Sequence, residues 1–324
     1  MTDLPPMVIN GNLYEGLGNA LLHDVVVHNF CVPADKAKIQ AWLDRTFAEP
    51  SGGAVRYTAL GAQVFLGIAE IGHLTNVDGP SAGHGWTSEI DITIWLLAHS
   101  EQDDGPGVRW IPAYLFVDSG PALVSGREIW GFPKQLGRFY FDPLTPDCGA
   151  ARNFRAEGWV IDPRGPENRA HWATMFEVRP KPAAQPKRQG PLGSLIDLAG
   201  LVVGRLTEDM ADFGGRIATM LHAGDVTMAF LKQFPDTQTP TRACYQAVVE
   251  AHAKVKALRG AGLTDDPYEV RIATFASHPF LSELGISSDW QDVGHGLWMD
   301  FDFEQQLGQE LWRAPMASRG ATAA

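Results

Sequence analysis

Cysteine is scarce in this chain. Only Cys31, Cys148 and Cys244 occur in 324 residues, odd in number, far apart and without CxxC spacing. That argues against a disulfide framework and against a zinc site; the three read as small buried hydrophobes. Basic charge is also short, with 26 Lys and Arg against 38 Asp and Glu and a formal net charge of -12. Such a balance is unsuited to the phosphate backbone of nucleic acids and to anionic membrane surfaces, so neither partner is expected. Long apolar runs are missing too: the longest, 198–204 (LAGLVVG), falls far short of the ~20 residues that cross a bilayer. The opening MTDLPP lacks the basic and apolar blocks of a secretory signal, and a cytoplasmic location is expected.

Several chemical signatures are absent as well. There is no GxxxxGK[ST] and no HExxH, and Gly16-Leu17-Gly18 lacks the third glycine of a dinucleotide fingerprint. The ten histidines show no metal-ligand spacing, and no metal site is expected. Asp300 and Asp302 read as an acidic solvent face. Gly79-Pro80-Ser81-Ala82-Gly83 fits GxSxG, but that motif needs a helix after it and a strand-like segment follows. A serine hydrolase built on Ser81, with His84 nearby, is a minor alternative.

What is present is an ordinary globular composition, 45% hydrophobic and 20% charged, long enough to bury a core without staples. Strand-like segments recur at 23–30, 63–71, 88–97, 110–117, 138–141, 151–161, 171–179, 226–233, 268–276 and, less regularly, 297–303. In 88–97, Glu89, Asp91 and Thr93 share one face and Ile90, Ile92 and Ile94 the other. The segment 243–253 fits strand or helix, and Arg259-Gly260 reads as a turn. Helices are few: one after Asp35 with Ile39, Trp42 and Leu43 on its apolar face, one from Ser119 through Pro121 to Trp130, and one over 206–221. Segment 179–193 is a Pro-rich basic loop, and 194–224 reads as a helical insertion. Many strands with few helices and no βαβ repeat predict a mostly antiparallel α+β fold in one domain, 1–324.

The informative stretch is 125–137, SGREIWGFPKQLG. A short helix closed by Gly131 and stiffened by Pro133 delivers Lys134 among Trp130, Phe132 and Leu136. A lysine so flanked is expected in a dry pocket, where desolvation disfavours the ammonium. The neutral amine can attack a ketone, and the resulting iminium is an electron sink for breaking an adjacent bond. Among only eight lysines, Lys134 and Lys232 have the most apolar neighbours.

Segment 125–137 resembles the active-site segment of the acetoacetate decarboxylase family, GRE-x-x-x-(Y/F)-P-K-K-L-G, through Gly126, Arg127, Glu128, Phe132, Pro133, Lys134, Leu136 and Gly137. More weakly, 85–94 is similar to the family's glutamate-bearing strand and 268–284 to its closing strand and helix. The resemblance implies a closed, double-cone antiparallel β barrel with peripheral helices, a homo-oligomer and no cofactor. It implies a Schiff-base lyase acting on a small keto acid, with Lys134 as nucleophile and Glu89 shuttling a proton or orienting substrate. Gln135, Trp130, Phe132, Arg127, Glu128 and Tyr245 are the candidate substrate-side residues; an orienting role suits Arg127 and Glu128, and a core role suits Tyr245. Decarboxylation comes first, aldolase or dehydratase chemistry on pyruvate-like acids second, a non-catalytic ligand-binding barrel third. Two departures stand out: Gln135 replaces the family's second lysine, and His23-Asp24-Val25 stands where the decarboxylase has its pocket arginine.

Overall fold

The structure, a computed structural model, describes residues 7, 17–102, 107–161, 169–181, 219–220 and 222–315. Twelve strands are described: β1 Ala20–Pro33, β2 Tyr57–Ala59, β3 Gln63–Asn76, β4 Thr87–Ser100, β5 Val108–Val117, β6 Lys134–Phe141, β7 Phe154–Val160, β8 His171–Pro180, β9 Asp225–Pro235, β10 Ala243–Ile272, β11 Gln291–Gln305 and β12 Gln309–Arg313. Short α-helices described with them include α1 Lys36–Leu43, α2 Gly120–Ser125 and α3 Phe280–Leu284. The Asp35 carboxylate caps α1, accepting from the amides of Ala37 (2.8 Å) and Lys38 (3.1 Å). Ile39 and Leu43, one turn apart, are the residues α1 buries.

The fold is sheet-dominated. Pairings run β4-β3-β1-β11-β10-β9-β5 and return from β5 to β4, while a second path runs β10-β8-β7-β6-β5. Every ladder is antiparallel except β5 with β6 and a single contact of β5 with β9. One rung orders the site. Asn29 pairs with Gly67, Gly67 with Thr93, Thr93 with Leu115, and Leu115 with Lys134, so four ladders carry the β6 lysine into register with β1, β3 and β4.

The ambiguous 243–253 segment, the expected turn at Arg259-Gly260 and the first five residues of the strand expected over 268–276 form one 30-residue strand, β10, which ends at Ile272. Its register against β11 shifts at four places, and such bulges bend and twist a strand without ending it. A strand bent this way pairs with β9 and β12 near its start and with β8 at its end. Arg259, read as a turn residue, clamps β11: its guanidinium bonds Asp300 and Asp302, each at 2.7 Å. That ion pairing accounts for the two aspartates.

Two main apolar clusters fill the interior. One gathers Phe30, Phe47, Phe154, Phe176, Tyr268 and Phe280. The other gathers Val25, Ile71, Trp130, Met228 and Phe230, and it surrounds the candidate site. Of the expected helix over 206–221 only residues 219–220 are described, and they are helical; nearly all of the basic loop 179–193 lies outside the described residues. Among the described residues, no helix is long and apolar enough to cross a membrane.

Candidate active site

The segment that delivers Lys134 folds as it does for local reasons. Ser119 Oγ accepts from the Ala122 amide at the start of α2, and Pro121 supplies a preset φ in the first turn. The helix widens into a π-helical turn, Gly126–Trp130, a form common at functional sites. Gly131, at φ 97°, ends it in the left-handed region that glycine tolerates. The amides of Gly131 and Phe132 both donate to the Gly126 carbonyl, at 3.0 and 3.1 Å. Gly126 is needed for space: a Cβ there would stand 2.6 Å from Lys134 Cδ and 2.8 Å from its Cε. Arg127 donates to the Lys134 carbonyl (3.1 Å), Lys232 Nζ to the Ile129 carbonyl (3.0 Å) and Trp130 Nε1 to the Gln306 carbonyl (2.8 Å). These bonds hold the turn against β6, β9 and the chain after β11.

Lys134 is the first residue of β6 and only 8% exposed. Its Nζ lies 2.5 Å from Glu89 Oε1, and Glu89 is itself buried. The ring of Phe132 stands 5.6 Å from the same nitrogen. Alternation along β4 puts Asp91 on the Glu89 face, and Thr93 Oγ1 donates to Asp91 Oδ1 at 3.0 Å. Burial, then the Glu89 charge, push the Asp91 carboxyl up to about 7, although Lys134 pulls it down. The sequence predicts Lys134 in a dry pocket, and the family resemblance implies Glu89 there; the structure brings the two into contact among apolar walls.

All three ionisable groups line a cavity of about 250 Å³. Its walls are otherwise almost wholly apolar. Val25 and Val27 come from β1, Ala69 and Ile71 from β3, Met228 from β9, Phe301 and Phe303 from β11, and Trp130 and Phe132 from the lysine loop. Among the described residues that line the cavity, Lys134 is the only basic one.

Of the residues singled out from sequence, Lys134, Glu89, Trp130 and Phe132 meet at this cavity, and the other four do not. Gln135 follows Lys134 in a strand, so its side chain takes the opposite face, where Oε1 accepts from His278 Nε2 at 2.8 Å. The contact that gives Arg127 its place is to the lysine backbone. Glu128 lies off the cavity, where its charge acts on Lys232. Tyr245 donates to Glu310 away from the site. Ser81 lies off the cavity too, and its Oγ accepts from the Leu17 amide at 3.3 Å. Where the decarboxylase motif calls for a pocket arginine, Val25 faces the cavity and His23 pairs with Asp302 at 3.4 Å. Asp91 was missed as a site residue, although its alternation with Glu89 is legible in the sequence.

No family model matches the chain, and no curated protein matches it. Fourteen solved chains do. Acetoacetate decarboxylase from Legionella pneumophila aligns with a TM-score of 0.58 and 13% identity, over 96% of this chain and 93% of that one. An acetoacetate decarboxylase-like enzyme from Sphingomonas wittichii RW1 aligns at 0.53 and 13%, over 93% and 94%. The enduracididine biosynthesis enzyme MppR, complexed with pyruvate, aligns at 0.55 and 14%, over 94% and 93%. At such identities the likeness is one of fold: this chain shares the fold of acetoacetate decarboxylase and acetoacetate decarboxylase-like enzymes.

Proposed function

We propose that the protein is a Schiff-base-forming carbon–carbon lyase in which Lys134 is the nucleophile toward a carbonyl substrate. The observation that carries this reading is the buried Lys134–Glu89 contact, 2.5 Å, opening onto an apolar cavity. Glu89 accepts a proton from the Lys134 ammonium, and the freed amine adds to the carbonyl carbon. Glu89 returns the proton to the carbinol oxygen, water leaves, and a protonated imine remains. The overall change is ammonium plus carbonyl to iminium plus water, balanced in atoms and charge. In aldol cleavage the iminium then draws in the electron pair of the bond from the adjacent carbon to a carbinol carbon. The carbinol carbon departs as a free carbonyl compound as its hydroxyl proton passes to Glu89, leaving an enamine. Asp91, near 7, suits the return of a proton to the adjacent carbon, since a catalytic acid works best close to the ambient pH.

Of the two reactions read from the sequence, aldolase or dehydratase chemistry is the better supported. Decarboxylation requires a substrate carboxylate, whereas aldol cleavage and dehydration also run on uncharged carbonyl compounds, and no arginine stands at the cavity to hold a carboxylate among the described lining residues. The relative complexed with pyruvate supports carbonyl binding on this fold. On the same reading the ring of strand pairings is the double-cone barrel, and the chain is one domain that assembles with copies of itself in the cytoplasm without a cofactor.

Cyanoborohydride reduction in the presence of carbonyl compounds, followed by peptide mapping, tests this. The expected adduct is on Lys134. Lys134→Arg keeps a cation for Glu89 and is expected to remain folded and unlabelled. Wild-type protein without an adduct at Lys134 would overturn the proposal.

A further inference from the structure

The reacting end of the cavity has no cation to spare. One ammonium, Lys134, faces two carboxyl groups, Glu89 and Asp91; Glu89 alone already matches it, and the described lining supplies no other basic side chain. An α-keto acid places its carboxylate one bond from the carbonyl that Lys134 would attack. Bound there, it would add a negative charge beside two acidic groups, in a dry site where like charges repel strongly and an unpaired ion is costly. The strand position that could have offered a guanidinium is occupied by Val25, fully buried.

The remaining space points the same way. An apolar cavity of about 150 Å³ accommodates benzene, so 250 Å³ accommodates roughly ten non-hydrogen atoms. A three-carbon keto acid fills only about half of that. Val27, Ile71, Met228, Phe301 and Phe303 line the same cavity and give water no hydrogen-bond partners; Asn29, Ser125 and Gln305 are the uncharged polar residues of the lining.

Resting on the assignment of Lys134 as the imine-forming residue, we infer that the preferred substrate is an uncharged, apolar ketone or aldehyde of about ten non-hydrogen atoms. Its carbonyl meets Lys134, and its aliphatic or aromatic body lies against the β1, β3, β9 and β11 wall. The two carboxylates then serve proton transfer and do not oppose an anionic ligand.

The test uses a matched pair of probes, 4-phenylbutan-2-one and 2-oxo-4-phenylbutanoate, which differ in a methyl group against a carboxylate. Half-saturating concentrations for reductive labelling of Lys134 are measured for each. The keto acid has the more reactive carbonyl, so a preference for the ketone must come from the site. The ketone is expected to saturate at about tenfold lower concentration, equivalent to one screened like-charge contact. The Asp91→Asn comparison is made at pH 8, where the wild-type carboxyl, raised to about 7, is mainly ionised; removing that charge is expected to narrow the gap by about threefold or more. Equal or tighter labelling by the keto acid would overturn the inference and leave the Schiff-base assignment standing. A gap unchanged in Asp91→Asn would overturn its electrostatic basis. Labelling by neither compound would remove both.

Discussion

Two buried ionic clusters lie on this sheet and are built to different ends. Around Glu250 on β10, Arg109 of β5 donates through Nε at 2.7 Å and Tyr57 of β2 through its hydroxyl, also at 2.7 Å. Cation and anion match, and both side chains are about nine-tenths buried, 9% exposed each. Around Lys134, a single ammonium serves two carboxylates at the wall of a cavity. The first arrangement is sealed by its own hydrogen bonds. The second has one carboxyl group more than it has cations, and space beside it. A buried charge pair alone says little about function; imbalance against a cavity is what separates the two, and it shows in titration. Desolvation and the Glu250 charge hold the Tyr57 phenol well above its ordinary range, protonated and donating. Asp91, raised to about 7, sits where it can exchange a proton near neutrality.

Stability measurements should divide the clusters most widely. Glu250→Ala takes the carboxylate from a buried guanidinium and strands the Tyr57 hydroxyl, so a loss of about 3–5 kcal/mol is expected. Glu89→Gln leaves Asp91 to neutralise Lys134, beside a space that can relax, and should cost under about 1 kcal/mol. Urea unfolding of the two variants makes the comparison. Equal losses would mean that both clusters are structural.

A smaller effect, with a defined pH dependence, belongs to Asp91. Its carboxyl titrates higher in the folded chain than in the unfolded one. Below the unfolded value both states are protonated and the folded state bears no penalty. As pH rises toward about 7 the unfolded chain ionises first, and stability is lost. Asp91→Asn keeps an acceptor for Thr93 and removes that loss. It should match wild type near pH 4 and exceed it by about 2 kcal/mol at pH 8, half the ceiling for such a displacement. A constant difference at both pH values would show that Asp91 titrates ordinarily.

The legible and hidden parts of this molecule divide along the same physical line. Strands β1, β3 and β4 announce themselves through β-branched, alternating residues, and the Glu89–Asp91–Thr93 face follows from period two alone. The lysine loop is legible because Gly131 and Pro133 leave few conformations open. Strand β10 is hidden because Arg259-Gly260-Ala261-Gly262 has the composition of a turn, while β11 pairing and bulges carry the chain straight through. The cavity wall is hidden because it depends on pairings such as Val25 with Phe301, 276 residues apart, which no local pattern encodes. Gln135 reads as a substrate-side or loop-bonding residue because it holds the position of the family's second lysine, in a stretch that looks like loop up to residue 138. Starting the strand at 134 assigns alternate faces to lysine and glutamine.

Gly126 gives the smallest expected change in stability and a sharp test of what the open cluster is for. A methyl group there would meet the middle of the Lys134 side chain, which is flexible enough to move, while the π-helical turn gains a residue better suited to helix than glycine. Strain and propensity partly cancel, so Gly126→Ala should alter stability by about 1 kcal/mol or less. The lysine, however, must swing from the position that holds its nitrogen 2.5 Å from Glu89. If the short contact exists to pass a proton and aim an amine, labelling at Lys134 should fall by about tenfold or more in a protein that unfolds like wild type, since a misplacement near 1 Å can cost a hundredfold. Full labelling in Gly126→Ala would mean that the ion pair does not set the lysine's reactivity, and that desolvation alone is sufficient to do so.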